Sequence, residues 1–293
     1  MTDILVTGAT GTTGGAVLAE LTAQGVRAKA LVRDAAKGAG IAGDLVEPVV
    51  GDLADRASLE AAFAGIARLY LVTAVTRDAP QQVENAFAAA KAADVKHIVK
   101  LSGLNATADS GSELIRRHAA ADAELKASGL GYTILQPNSF CQNMFWQAEA
   151  IKAQGQFYLP IGEARQSLID VRDAGAVAAK ALTSDALDGQ VLPLTGPESL
   201  TYHDVAAALS EATGRPVTYV PVPNEAARQS LLDAGAPAWD ADMLAEFMAV
   251  FASGSYAYTT DAFETAMGRP PRRFADFARD FAAAFTASAA ASG

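Results

Sequence analysis

The sequence predicts an α/β protein: a doubly wound parallel sheet with a smaller, mostly helical C-terminal subdomain. Three observations predict it. Up to about residue 135, short aliphatic and β-branched runs alternate with longer Ala-rich segments. The apolar runs show little in–out alternation, as expected of strands buried on both faces. Beyond Pro137 this rhythm stops and helical patterns dominate. Repeated strand–helix alternation implies right-handed crossovers, which lay successive strands parallel.

Residues 4–7 are the first strand candidate, followed by 28–32, 46–50, 69–73, 98–101 and 133–136. Helix candidates fall between them at 14–24, 56–63, 79–93 and 113–128, with Gly25 and Gly129 as helix stops. Next, 143–153 reads as a helix and 155–160 as a short strand. The run Ser167-Leu168-Ile169-Asp170-Val171-Arg172-Asp173 leads into an Ala-rich helix ending near Leu182, and 190–194 returns a late strand to the sheet. From Thr201 onward the pattern is mostly helical, with the strand-like 217–220 interposed. Residues 1–137, together with about 165–195, are therefore assigned to the sheet domain. Residues 138–164 and 196–293 are assigned to the subdomain packed over its ligand edge. Phe274, Phe277, Phe281 and Phe285 mark one helical face, read as core packing or a subunit contact. The Ala/Ser tail after Phe285 reads as frayed.

Composition narrows the function. With 23 basic against 33 acidic residues, the formal charge of −10 argues against a general affinity for nucleic acid or anionic membrane. The single cysteine, Cys141, excludes an intramolecular disulfide and a Cys-based zinc site. His97, His118 and His203 have no metal-ligand spacing. No basic leader precedes the short apolar start, and no apolar stretch is long enough to span a bilayer. The expected location is the cytoplasm, and the expected oligomeric state is monomer or homodimer.

Gly8, Gly11 and Gly14 form G-x-x-G-x-x-G between the first strand and the first helix. The first glycine permits the tight turn, the second lets backbone approach a pyrophosphate, and the third allows close helix–strand packing. The helix N-terminus offers free N–H groups and partial positive charge to the phosphates. Thr10, Thr12 and Thr13 add hydroxyl donors. In this βαβ frame the loop predicts a Rossmann dinucleotide site. Arg33, at the end of the second strand, suits a 2′-phosphate, so NADP(H) is favoured over NAD(H). The neighbouring Asp34 offers a carboxylate that can turn to the ribose instead. Asp52 reads equally as an acceptor for the adenine amino group or as the N-cap of the helix near Arg56, with Leu53 covering the ring. Thr73 and Ala74 end the fourth strand, where small residues let the cofactor pass close to backbone.

The chain resembles the NmrA-like group of atypical short-chain dehydrogenases/reductases, especially quinone oxidoreductase-like and triphenylmethane reductase-like proteins. The likeness rests on Val6-Thr7-Gly8-Ala9-Thr10-Gly11, Leu31-Val32-Arg33, Gly51-Asp52-Leu53 and Val95-Lys96-His97-Ile98-Val99. It continues through Ser128-Gly129-Leu130-Gly131-Tyr132-Thr133-Ile134-Leu135-Gln136-Pro137, Gln142-Asn143, Ile169-Asp170-Val171-Arg172-Asp173 and Leu194-Thr195-Gly196-Pro197. It implies an extended Rossmann fold, NADP(H), and a substrate cleft against the C-terminal subdomain. Pro137, Asn138, Ser139 and Phe140 would pass beside the nicotinamide. Phe140 and the 143–146 region would wall the substrate. Gln136 stands where relatives commonly carry Arg.

Short-chain reductases usually protonate the product through a Tyr-x-x-x-Lys pair, and no tyrosine here has lysine four residues later. The corresponding helix offers His118 and Asp122, at i and i+4. They look like the family's His-x-x-x-Glu with Asp in place of Glu. His118 reads as a proton donor, or as a hydrogen-bond partner for cofactor or substrate with its ring oriented by Asp122. Equally, the pair pins the helix to the sheet. Ser102, ending the fifth strand, reads as a polar group near substrate or as a strand-end cap, and Lys100 shares its strand face. Phe140, Phe145, Trp146, Phe157 and Tyr158 offer aromatic surface for a pocket. Two functions follow. One is an NADPH-dependent oxidoreductase passing hydride to a hydrophobic, aromatic or quinone-like small molecule. The other is a non-catalytic NADP(H)-binding redox sensor of the NmrA type. Isomerase, epimerase or tailoring chemistry on the same scaffold is a third option.

Overall fold

The structure, a computed structural model, describes residues 3–286. Its strands are β1 (Ile4–Val6), β2 (Ala28–Val32), β3 (Val46–Val50), β4 (Arg68–Leu71), β5 (His97–Leu101), β6 (Gly131–Pro137), β7 (Gln156–Leu159), β8 (Val191–Leu194) and β9 (Thr218–Pro221). Seven of them form one sheet in the order β3-β2-β1-β4-β5-β6-β8, with every pairing parallel. The chain therefore winds outward from β1 in one direction and from β4 in the other. That switch point is where doubly wound sheets bind ligands. The predicted late strand is β8. The other two strands, β7 and β9, pair parallel in a sheet of their own.

Both faces of the large sheet are covered. Val6, Tyr70, Val99 and Leu135 face α1 (Thr12–Ala23) and, later in the chain, the helix over Val171–Thr183. Their neighbours Leu5, Leu69, Ile98 and Ile134 face the opposite helical layer. That layer follows α2 (Ala35–Ala39) and consists of α3 (Arg56–Ala62), α4 (Ala79–Ala92) and α5 (Glu113–Ala127). Two-sided burial explains why these strands read as unbroken apolar runs. The predicted helix at 143–153 is instead two pieces, a 3₁₀ segment over Cys141–Gln147 and α6 (Ala148–Gln154). The Val171–Thr183 helix, α7, lies against α1, and a Cβ at its Gly175 would come within 3.0 Å of Ala16 backbone. The short α2 carries no long periodic pattern and was not predicted.

A second core lies beneath α8 (Tyr202–Thr213), α10 (Ala238–Ala252) and the short helices α12 (Phe274–Asp280) and α13 (Ala282–Phe285); α9 (Asn224–Asp233) pairs with α10, and α11 (Ala262–Met267) packs through Phe263 and Ala266 on the first core. The phenylalanine stripe spans a break at Phe281, between α12 and α13. Phe274, Phe277 and Phe285 are buried there, and Phe145 stacks among Phe277, Phe281 and Phe285. The stripe is thus core packing. The tail predicted to fray lies, beyond Thr286, outside the described residues. Among the described residues no helix is long and apolar enough to cross a membrane.

Candidate cofactor and substrate site

The predicted ligand residues fall in one row along the C-terminal ends of adjacent strands. In sheet order these are Asp52 and Leu53 after β3, Arg33 after β2 and the glycine loop after β1. Thr73 and Ala74 follow β4, Ser102 follows β5, and Asn138 to Phe140 follow β6. Thr7 Oγ1 locks the switch point, donating to the Val72 carbonyl at 2.9 Å and accepting from Val72 N at 2.8 Å.

The loop geometry fits a dinucleotide's phosphates. Gly8 has φ +60, a left-handed value, and a Cβ there would lie 2.6 Å from Val72 Cγ1. At Gly14 a Cβ would lie 2.2 Å from the Gly8 carbonyl oxygen, so the start of α1 sits hard against the strand end. Asp34, Asp55 and Asp170 cap α2, α3 and α7 through side-chain oxygens, whereas no side chain caps α1. Its first N–H groups stay available to an anion. Thr10, Gly11 and Thr12 are exposed beside them.

At the adenosine end, Asp34 Oδ1 accepts from Lys37 N at 2.8 Å. One oxygen of the carboxylate that competes with Arg33 is thereby engaged in capping, and Arg33 stands exposed at the end of β2. The N-cap of α3 is Asp55 rather than Asp52. Asp52 Oδ1 instead accepts from Ala54 N at 2.9 Å, forming a tight turn that presents Leu53.

Next to the switch point opens a cavity of about 560 Å³. Thr13, Thr73, Ala74, Ser139 and Phe140 line its sheet side, and Asn143, Met144 and Trp146 line another wall. Phe145, Phe157 and Tyr158, read from sequence as pocket aromatics, do not line it. Phe145 stacks in the second core, and Phe157 packs on Tyr202 and Tyr219. Tyr158 is on the surface, its hydroxyl within hydrogen-bond reach of the Gln154 and Gln156 side-chain oxygens. The missing wall is supplied by Trp239, Met243, Leu244, Phe247, Met248 and Phe251 of α10, which sequence reasoning missed. Their spacing of three and four residues was the available signal. The helix is fastened over the cavity by Glu246, which accepts from Glu113 N at 2.8 Å, and by Trp239, whose ring lies 5.0 Å from the Arg117 guanidinium.

On the cavity floor is a buried polar cluster. Asp122 Oδ1 accepts from Lys100 Nζ at 2.9 Å, and Oδ2 accepts from Ser102 Oγ at 2.8 Å and Gln136 Nε2 at 3.0 Å. The expected orientation of His118 by Asp122 is corrected: Asp122's acceptor oxygens are taken by these three donors, and His118 makes no hydrogen bond to a described residue. Its ring lines the cavity and packs over Gly103. Burial and the nearby Lys100 ammonium push His118 down to about 3, against the pull of Asp122, so the imidazole is neutral at pH 7. Asn138 is also spent internally. Its Nδ2 donates to Ser167 Oγ and the Tyr256 carbonyl, and its Oδ1 accepts from Ser139 N.

Sheet topology and loop together define a dinucleotide-binding protein of the Rossmann class. The chain belongs to the NmrA-like family, whose profile matches residues 1–274. It is 40% identical over 285 residues to an NAD(P)H azoreductase of Xenophilus azovorans, covering 97% of this chain and 100% of that one. It is 30% identical over 277 residues to quinone oxidoreductase 2 of Escherichia coli, covering 93% and 96%. The NADPH complex of an Escherichia coli NADPH-dependent quinone oxidoreductase has the same fold at TM-score 0.85 and 28% identity, covering 95% and 99%. A Citrobacter sp. triphenylmethane reductase with NADP(H) gives 0.84 and 27% over the same shares.

Proposed function

We propose that the chain is an NADPH-dependent oxidoreductase that reduces a hydrophobic, aromatic acceptor of quinone or azo type. The observation that carries the reading is the cavity itself, apolar and walled by the methionines and aromatics of α10. It opens at the switch point, directly beside Thr13 of the phosphate loop. Relatives named as azoreductase and quinone oxidoreductase support the same substrate class.

In this reading Gly8 to Gly14, with the hydroxyls of Thr10, Thr12 and Thr13, hold the pyrophosphate, and Arg33 pairs with the 2′-phosphate. Leu53 covers the adenine and Asp52 fixes the turn beneath it. Thr73, Ala74, Pro137, Asn138 and Phe140 border the nicotinamide, Asn138 by holding the chain in place. When bound, the reduced nicotinamide supplies a hydride. The protein's part is to orient the acceptor and exclude water. His118, as neutral imidazole, offers one N–H donor and one acceptor to the ligand. Ser102 has given its hydroxyl hydrogen to Asp122, so it faces the cavity as an acceptor. The enzyme works in the cytoplasm on a small molecule, as monomer or homodimer.

The test is NADPH oxidation with a panel of quinones, azo dyes and triphenylmethane dyes. Saturable turnover with at least one acceptor is expected. Tight nucleotide binding by calorimetry without turnover of any acceptor would sink the reading in favour of a sensor.

A further inference from the structure

The floor of the cavity contains one acidic proton donor with capacity to spare. A lysine ammonium carries three N–H bonds. Those of Lys100 meet Asp122 Oδ1 at 2.9 Å and, weakly, the Leu101 carbonyl at 3.4 Å. No other described residue accepts from Nζ, and Lys100 lines the cavity although only 4% of its side chain is exposed. The neighbouring groups hold no proton acidic enough to transfer to a ligand. The Ser102 hydroxyl and the Gln136 amide both donate to Asp122, and Asp122 accepts through both oxygens. His118 is neutral. Arg117, the other cation on the cavity wall, turns its guanidinium to Glu113, the Thr76 carbonyl and the face of Trp239.

We propose that Lys100 is the proton donor of the reduction, held at the cavity floor by Asp122 and aimed at the oxygen or nitrogen of the bound acceptor. The inference rests on the reductase reading above. For a quinone, a hydride from the reduced nicotinamide gives the hydroquinone monoanion and the oxidised nicotinamide. The second O–H bond forms as a Lys100 N–H bond breaks, its electron pair returning to Nζ. The hydroquinone leaves, and the neutral amine regains a proton from water entering the open cavity. Burial pulls Lys100 below the usual lysine range while Asp122 pulls it back, leaving an ammonium readier to release its proton than one in water. The ionisable groups bordering it are Asp122 and His118 of α5. Glu84 of α4 and Glu124 of α5 stand exposed elsewhere on the wall.

The test uses 4-nitrophenol as a stand-in for the hydroquinone monoanion, because its ionised form is yellow. Bound to the wild-type protein, the probe should ionise at least one pH unit below its value in water, a tenfold shift in the ionised fraction. In Lys100→Met/Asp122→Asn, which removes both charges and so leaves no lone buried carboxylate, the bound probe should ionise at or above its value in water. An apolar cavity without the ammonium favours the neutral phenol. With a quinone acceptor, kcat of this variant should fall roughly 100-fold, while the dissociation constant for NADPH stays within twofold. A probe that binds wild-type protein in neutral form, does not bind at millimolar concentration, or ionises alike in both proteins overturns the role of Lys100. Quinone turnover by the same wild-type preparation separates the two readings. Turnover without probe ionisation removes Lys100 alone, and ionisation without turnover of any acceptor removes the reductase reading and the proton transfer with it.

Discussion

A methyl group at Gly14 would lie 2.2 Å from the Gly8 carbonyl oxygen, whereas one at Gly11 meets that oxygen at 3.3 Å. The two glycines therefore serve different ends. Gly14→Ala forces α1 away from β1 and should cost about 3 kcal/mol, seen as a lower Tm. Gly11→Ala should keep Tm within a few degrees yet weaken NADPH at least tenfold in calorimetry, because the methyl crowds the phosphates. Equal loss of Tm in both variants would contradict the division. Arg33 makes no hydrogen bond to a described residue, so Arg33→Ala should leave the fold intact. The NADPH dissociation constant should rise about tenfold to a hundredfold, the worth of a charge-assisted pair, with little change for NADH.

At the scale of the element, α10 decides what the cavity accepts. Phe247 stacks on Phe251 with centroids 4.3 Å apart and faces the cavity. Phe247→Ala should raise KM for a bulky aromatic acceptor about tenfold, the loss of one aromatic contact surface. The affinity for NADPH should be unchanged, because the phosphate loop holds the cofactor from the end of β1 whereas Phe247 belongs to α10; parallel losses in both would place Phe247 in the cofactor site. The sheet and the glycine loop were legible in the sequence because strands buried on both faces and a strand–glycine–helix junction are local patterns. The wall was not. Periodicity shows that Trp239, Met243, Phe247 and Phe251 share a helix face, but not that α5 and the Trp239–Arg117 contact bring that face over the sheet edge. The floor cluster was half legible. Lys100 and Ser102 alternate on one strand face, and His118 and Asp122 share a helical turn. Which of the two α5 side chains meets the strand is settled only by tertiary packing, which chose Asp122. Phe145 and Phe157 misled for the same reason, since an aromatic bordering a cavity and one filling a core read alike.

Across the whole molecule, the edge of the sheet opposite the cavity carries its own chemistry. His97 begins β5 there, bonded to Thr133 Oγ1 at 2.9 Å and facing Asp188 and Arg68. Burial lowers it from 6.5 to about 4, Asp188 opposing and Arg68 assisting. Between those values the unfolded chain binds a proton that the folded chain refuses. Its contribution to stability is therefore complete above pH 6.5 and is lost as pH falls toward 4, with a slope of up to ~1.4 kcal/mol per pH unit. Urea unfolding at a series of pH values should show that slope reduced in His97→Gln. Coincident slopes would mean that His97 titrates normally in the folded state. The placement of β8 has a consequence of another kind. Its partner β6 ends at Pro137, and β8 begins only at Val191, after the chain has departed to build part of the second core. On a ribosome adding roughly 5–20 residues per second, the open edge of β6 waits several seconds for its neighbour. During synthesis that bare row of N–H and C=O groups is the place where another nascent chain can pair wrongly.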